Sequence, residues 1–197
     1  MIITKLFEFE GSHIVRNCTS KRCAFSIHGH SYKVEISLEA THLDNGQMVY
    51  DFGLMKGPIK DFIDSFDHTH VLWSKEDQKH KDYFFDNYQR VIEIPVSPSA
   101  EMLSALFFSC IRRILECIEY NNGEKDVSLH SVKIWETRTG SATANIEDSR
   151  RLFDQKWFLE DIRFSDGIKS EWSDINMWNK ILERQVIPMP KAEQQIK

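Results

Sequence analysis

The chain has 197 residues, enough for one domain with its own core and short for two. With 41% apolar and 28% charged residues it reads as an ordinary globular sequence, and 8 Gly with 5 Pro exclude a long low-complexity segment. A net charge of −5 argues against a broad nucleic-acid surface, no apolar run approaches a membrane span of roughly 20 residues, and four cysteines do not make a disulfide framework. A cytoplasmic protein without nucleic-acid or membrane partners is therefore expected. The alternation of Phe and Glu near the start does not read as a signal peptide.

Residues 5–13 read as a strand with Phe7, Phe9, Gly11 and His13 on one face and Glu8 and Glu10 on the other. Residues 14–27 read as a polar loop carrying Arg16, Cys18, Lys21, Arg22 and Cys23. Residues 28–39 give the cleanest strand. Its even positions, His28, His30, Tyr32, Val34, Ile36 and Leu38, form a face to be buried, and the odd ones a wet face. After a turn at Asn45-Gly46, Asp51 precedes a helical spacing of Met55, Ile59, Phe62, Ile63 and Phe66, interrupted early by Gly57-Pro58.

A charged and aromatic loop is expected over 74–89, then a short strand at Val91–Ile94. Ser97-Pro98 starts an amphipathic helix through Leu103, Phe107, Cys110, Ile114 and Ile118, ended by Asn121-Asn122-Gly123. Val132, Ile134 and Glu136 share a strand face, Ala142–Ile146 is a candidate last strand, and 171–184 a candidate helix. The order β-β-α-α-β-β predicts an α+β fold with antiparallel sheet. All eight His and all four Cys lie in residues 1–145, whereas the last 52 residues hold three of the five Trp. The chemistry is expected in the first part, with 146–197 as an extension packed on the core or at a subunit interface.

His28 and His30 stand one pleat apart on one strand face. Two imidazoles so placed, with His13 as a third, can form a three-nitrogen zinc site with an open fourth position. The competing reading is a set of hydrogen-bonded histidines at a strand end. Cys18 and Cys23 are candidate thiolates, with cationic Lys21 and Arg22 beside them. Cys110 and Cys117 fit the core. In Asp67-His68 the carboxylate can orient the ring for acid–base work, with His70 as a nearby structural histidine. Glu136 ends an apolar strand face, so it needs either a salt bridge to Lys133 or Arg138 or a ligand with an N–H edge. Glu101 suits a helix N-terminus whether or not it touches a ligand.

Together, His13, Cys23 before His28-Gly29-His30, Val49-Tyr50-Asp51-Phe52, Asp67-His68, Pro98-Ser99-Ala100-Glu101 and Trp135-Glu136-Thr137 resemble the 6-pyruvoyl-tetrahydropterin synthase family in order and rough spacing. The bacterial branch, the 6-carboxytetrahydropterin synthases of the queuosine pathway, is the most similar. Met102 stands where the family segment Pro-Thr-x-Glu-Asn has its Asn.

The resemblance spans about residues 3–145 and implies a tunnelling fold: a four-stranded antiparallel sheet with two helices on one face. It implies a homohexamer of two stacked trimers with active sites at subunit interfaces. It implies Zn2+ on His13, His28 and His30, catalysis by Cys23, Asp67 and His68, and substrate contacts by Glu136, Glu101 and Ser99. The implied reaction converts 7,8-dihydroneopterin triphosphate to 6-carboxy-5,6,7,8-tetrahydropterin with release of acetaldehyde and triphosphate. The alternatives are a 6-pyruvoyl product, or a non-catalytic pterin- or purine-binding protein. A zinc hydrolase on another fold would need a water-activating Glu, and no His-Glu-x-x-His is present. Arg16, Lys21 and Arg22 are the cations expected to meet a triphosphate in an acidic chain.

Overall fold

The computed structural model describes residues 1–153, 159–191 and 193. The chain begins with β1 (Ile2–His13), the short helix α1 (Lys21–Phe25) and β2 (His28–Glu39). A 3-10 turn (Leu54–Lys56), α2 (Pro58–Asp64), β3 (Thr69–Trp73), α3 (Gln78–Asn87) and β4 (Val91–Ile94) follow. The long helix α4 (Ala100–Cys117) leads to β5 (Ser128–Trp135), β6 (Ser141–Ala144) and α5 (Ile146–Phe153). Beyond it come β7 (Arg163–Phe164), α6 (Asp166–Lys169) and α7 (Met177–Leu182). No helix among the described residues is long and apolar enough to cross a membrane.

The α+β class and the strand faces agree with the sequence. The sheet does not have four strands but seven, in the order β6-β5-β2-β1-β3-β4-β7. The antiparallel four, β6-β5-β2-β1, form one part. The far end of β1, Gly11–His13, then pairs in parallel with Thr69–Val71 of β3, and β3 pairs in parallel with β4. These additions escape pattern reading for a physical reason. Thr69 to Leu72 are all buried, so the strand shows no apolar–polar alternation. Residues 78–87 form α3 rather than a loop, with Asp77 accepting from the N–H groups of Lys79 and His80 as its N-cap. α5 begins where the last strand was expected to end, and α7 is shorter than the expected 171–184 helix.

α4 packs on β5 and β6, with Leu106, Phe107, Cys110, Ile111 and Ile114 fully buried against the sheet. Under β1, Phe9 stacks on Tyr32 at 4.7 Å and meets Phe66 and Phe107. The segment after residue 159 enters this same core. Trp178 lies parallel to Phe62 at 6.0 Å and edge-on to Phe164 at 5.1 Å. Trp172 donates its indole N–H to Ser65 Oγ at 2.8 Å. β7 closes the edge left by β4.

Candidate metal centre and its surroundings

Register alone builds the centre. β1 and β2 run antiparallel with His13 opposite His28 and Gly11 opposite His30. The three imidazoles therefore cluster on the core face at one end of the hairpin, with ligand-capable atoms all within 4.8 Å of one another. Gly29 sits between the two β2 histidines because a Cβ there would come within 2.9 Å of the Gly11 carbonyl oxygen. The glycine permits the close strand approach that brings His28 to His13.

His13 is 1% exposed. Its Nδ1–H donates to the Pro98 carbonyl at 2.6 Å, with the Tyr32 hydroxyl 3.2 Å from the same nitrogen. Because Nδ1 carries the proton, Nε2 presents a lone pair. Burial lowers the His13 pKa to about 4, and the neighbouring His28 and His30 oppose protonation too, against the Pro98 bond that favours it. The ring is therefore neutral near pH 7. His28 turns its Nδ1 to the Ser26 carbonyl at 3.0 Å, which leaves its Nε2 inward as well. The Nε2 atoms of His13 and His28 lie 3.1 Å apart. Burial also lowers the His30 pKa, while Glu136 raises it.

Inward lone pairs at this separation repel unless a cation lies among them. That donor set, fixed by backbone carbonyls behind it, fits a divalent metal such as zinc. Glu136 follows β5 on the same face. Its Oε1 lies 3.7 Å from His13 Nε2 and 4.0 Å from His30 Nε2. Among the described residues Glu136 makes no ion pair with Lys133 or Arg138. Instead the Lys133 ammonium sits over the Trp135 ring at 4.0 Å.

The start of α4 abuts this centre through Pro98. Ser99 is its N-cap, accepting from the Met102 N–H at 3.4 Å, and Glu101 lies exposed in the first turn. Cys23 is half-buried on α1, and its carbonyl accepts from the Val15 N–H at 2.9 Å. Cys18 donates to the Ser20 carbonyl at 3.3 Å. Arg16 is already committed, with a bidentate pair to Glu76 at 2.8 and 3.0 Å and a bond to the Ala24 carbonyl. Lys21 and Arg22 are exposed.

Asp67 and His68 form a unit of their own. Asp67 accepts from the Glu10 N–H at 2.8 Å and from His68 Nδ1 at 2.9 Å. Burial alone would raise the Asp67 pKa. The Glu10 hydrogen bond, His68 and Arg90 together hold it below its ordinary value. His68 has φ +51°, in the left-handed region, and its N–H donates to the Glu10 carbonyl at 2.6 Å. It lines a shallow cleft of about 340 Å3 with Glu10, Ser12, Gly29 and Ser31. Gly11, Thr69 and His30 of the cluster line it as well, so the pair stands at the edge of the histidine end of the hairpin. Among the described residues no hydrogen bond or ion pair joins Asp67, His68 or Cys23 to the three histidines.

Sequence reasoning missed two supports. The Pro98 carbonyl leaves no side-chain signal. Tyr32 is legible in the sequence only as the next buried position on the histidine face.

A model of 6-pyruvoyl tetrahydropterin synthase matches residues 2–147. The chain belongs to this family. A protein of Helicobacter pylori (strain J99) named 6-carboxy-5,6,7,8-tetrahydropterin synthase is 37% identical over 184 residues, covering 92% of each chain. That coverage leaves out only about 16 of 197 positions, so the similarity continues beyond residue 147. A protein of the same name from Aquifex aeolicus is 28% identical and covers 71% of this chain and 94% of its own. Among solved structures, an uncharacterized protein of Wolinella succinogenes superposes with TM-score 0.57 at 19% identity, covering 74% of this chain and 98% of its own. The Caenorhabditis elegans 6-pyruvoyl tetrahydropterin synthase gives TM-score 0.52 at 18% identity, covering 74% and 94%. These two show a shared fold.

Proposed function

We propose that the chain is a zinc-dependent lyase acting on 7,8-dihydroneopterin triphosphate, releasing 6-carboxy-5,6,7,8-tetrahydropterin, acetaldehyde and triphosphate for 7-deazapurine synthesis. One observation carries the reading: three imidazoles, two of them with Nε2 lone pairs turned inward, converge with a carboxylate in a member of this family. The names of the Helicobacter and Aquifex relatives favour the carboxy product over the pyruvoyl one.

His13, His28 and His30 would hold the zinc. When bound, it supplies a Lewis acid for oxygen atoms of the substrate side chain. Cys23 removes a proton from the carbon next to the pterin ring. His68, oriented by Asp67, carries protons during loss of triphosphate and the later steps. Glu136 accepts the N–H edge of the aminopyrimidine, with Ser99 and Glu101 nearby in the pocket.

Among the described residues no hydrogen bond or ion pair joins Asp67, His68 or Cys23 to the histidine cluster. In this reading a site built from all of them is shared between subunits of a homohexamer of two trimers. Residues 1–145 form the catalytic unit in this reading, and the remainder is an extension packed on it. A cytoplasmic setting suits the four free cysteines.

Incubation with 7,8-dihydroneopterin triphosphate tests the reading. Acetaldehyde with a 6-carboxy product supports it. A 6-pyruvoyl product transfers the chain to the sister activity, and absence of turnover with zinc bound overturns it.

A further inference from the structure

We propose that Glu136 is an exchangeable fourth ligand of the metal in the ligand-free protein, and that the arriving pterin edge draws it away. The incoming group rests on the function proposed above. The ligand role of Glu136 rests on geometry alone.

One oxygen, Oε1, faces both His13 Nε2 at 3.7 Å and His30 Nε2 at 4.0 Å. Bonds of about 2.0–2.2 Å in a tetrahedral zinc site place neighbouring ligand atoms roughly 3.3 Å apart. Oε1 is thus within less than an ångström of fourth-ligand spacing from two of the three histidines, and contraction onto a metal needs only side-chain motion. The direction of the imidazoles strengthens this. His13 and His28 give their Nδ1 atoms to the Pro98 and Ser26 carbonyls and turn Nε2 inward. A carboxylate held against the His13 lone pair is repelled unless a cation stands between them.

Among the described residues no lysine or arginine supplies that cation. Lys133 is occupied over Trp135. The Glu136 backbone is fixed, its N–H donating to the Gly140 carbonyl at 3.1 Å where the β5–β6 hairpin turns. The side chain is 29% exposed, so a ligand can reach it. A carboxylate cannot give the same oxygen lone pairs fully to a metal and to two N–H donors. Recognition of the pterin edge therefore competes with closure of the metal, and pterin binding opens one position beside it.

The test replaces zinc with Co2+ and compares the visible absorption bands of the wild type, Glu136→Gln and Glu136→Asp. Metal affinity is measured by competition with a chromophoric chelator. Both variants are expected to shift the bands and to weaken the metal at least roughly 10-fold, as loss of a metal partner does. Unsubstituted pterin should move the wild-type bands toward those of Glu136→Gln and leave the variant's bands in place. Identical bands and affinity in wild type and variants overturn the ligand role, and wild-type bands unmoved by bound pterin overturn the exchange. Pterin binding is followed separately by its own fluorescence. Failure of pterin to bind defeats the substrate reading, and the affinity comparison still decides the ligand role.

Discussion

The Nδ1 of His13 and the carbonyl oxygen of Pro98 lie 2.6 Å apart, and this contact decides which nitrogen of the ring faces the cluster. The bond joins the end of β1 to the residue just before the N-cap of α4, so the fold itself sets the tautomer. The expected metal content is about one zinc per chain, held by three histidines. His28→Ala should weaken zinc by more than the roughly 10–100-fold typical of losing an outer partner. Elemental analysis after dialysis checks this. Full zinc in the variant would remove His28 from the ligand set.

Cys23 and His68 are the proposed proton-handling groups, and among the described residues no hydrogen bond or ion pair joins them. Cys23→Ala and His68→Ala should each cut kcat by roughly 10²–10⁴-fold while zinc stays bound. Because the site is proposed to be shared, mixing the two variants under conditions that reassemble the oligomer should restore part of the activity. A hybrid site can draw its intact Cys23 from one chain and its intact His68 from another. Mixed oligomers as inactive as their parents would argue that both groups act from a single chain.

Much of the centre was legible because β-strand alternation has an unambiguous period. His28, His30 and Tyr32 share a face by parity, and His13 joins them through hairpin register. Glu136 was legible for the same reason, as the polar end of Val132–Ile134. What stayed hidden depends on tertiary contact. Thr69–Trp73 is buried almost throughout and so shows no wet face. α3 buries only Lys81 and Phe84, too few to print a helical stripe. Arg16 looked free in sequence because Glu76, 60 residues away, is its partner only in the fold. The position of His68 beside Glu10 near the end of β1 arises from the backbone path after α2, which residue type does not encode.

His70 predicts a pH effect on stability. Its Nδ1 meets Ser12 Oγ at 2.9 Å, its ring stacks on Phe84 at 4.2 Å, and its buried Nε2 has no hydrogen-bond partner among the described residues. Burial lowers its pKa to about 4; His80 and His13 add to this and Glu76 opposes it. The unfolded chain takes up this proton near pH 6.5, so between about pH 4 and 6.5 the unfolded state binds more protons. The contribution is complete above pH 6.5 and is lost as pH falls toward 4, by about 3 kcal/mol in all. His70→Gln should remove up to one proton from the slope of unfolding free energy against pH in that window. An unchanged slope, read from urea titrations of the metal-free protein, would refute the assignment.

Trp178 tests how far the extension belongs to the fold. It is 6% exposed and stands between Phe62 of α2 and Phe164 of β7, so it joins the first part of the chain to the last. Truncating a buried Trp to Ala costs about 3–5 kcal/mol, through lost transfer energy and the cavity left behind. Trp178→Ala should lower the urea midpoint accordingly, without a separate early transition. The buried indole N–H of Trp178 has no partner among the described residues, so Trp178→Phe forfeits none of their hydrogen bonds and should cost well under half as much. A loss below about 1 kcal/mol for the alanine variant would place it among ordinary surface changes. The last quarter of the chain would then be a loosely attached addition rather than part of the cooperative core.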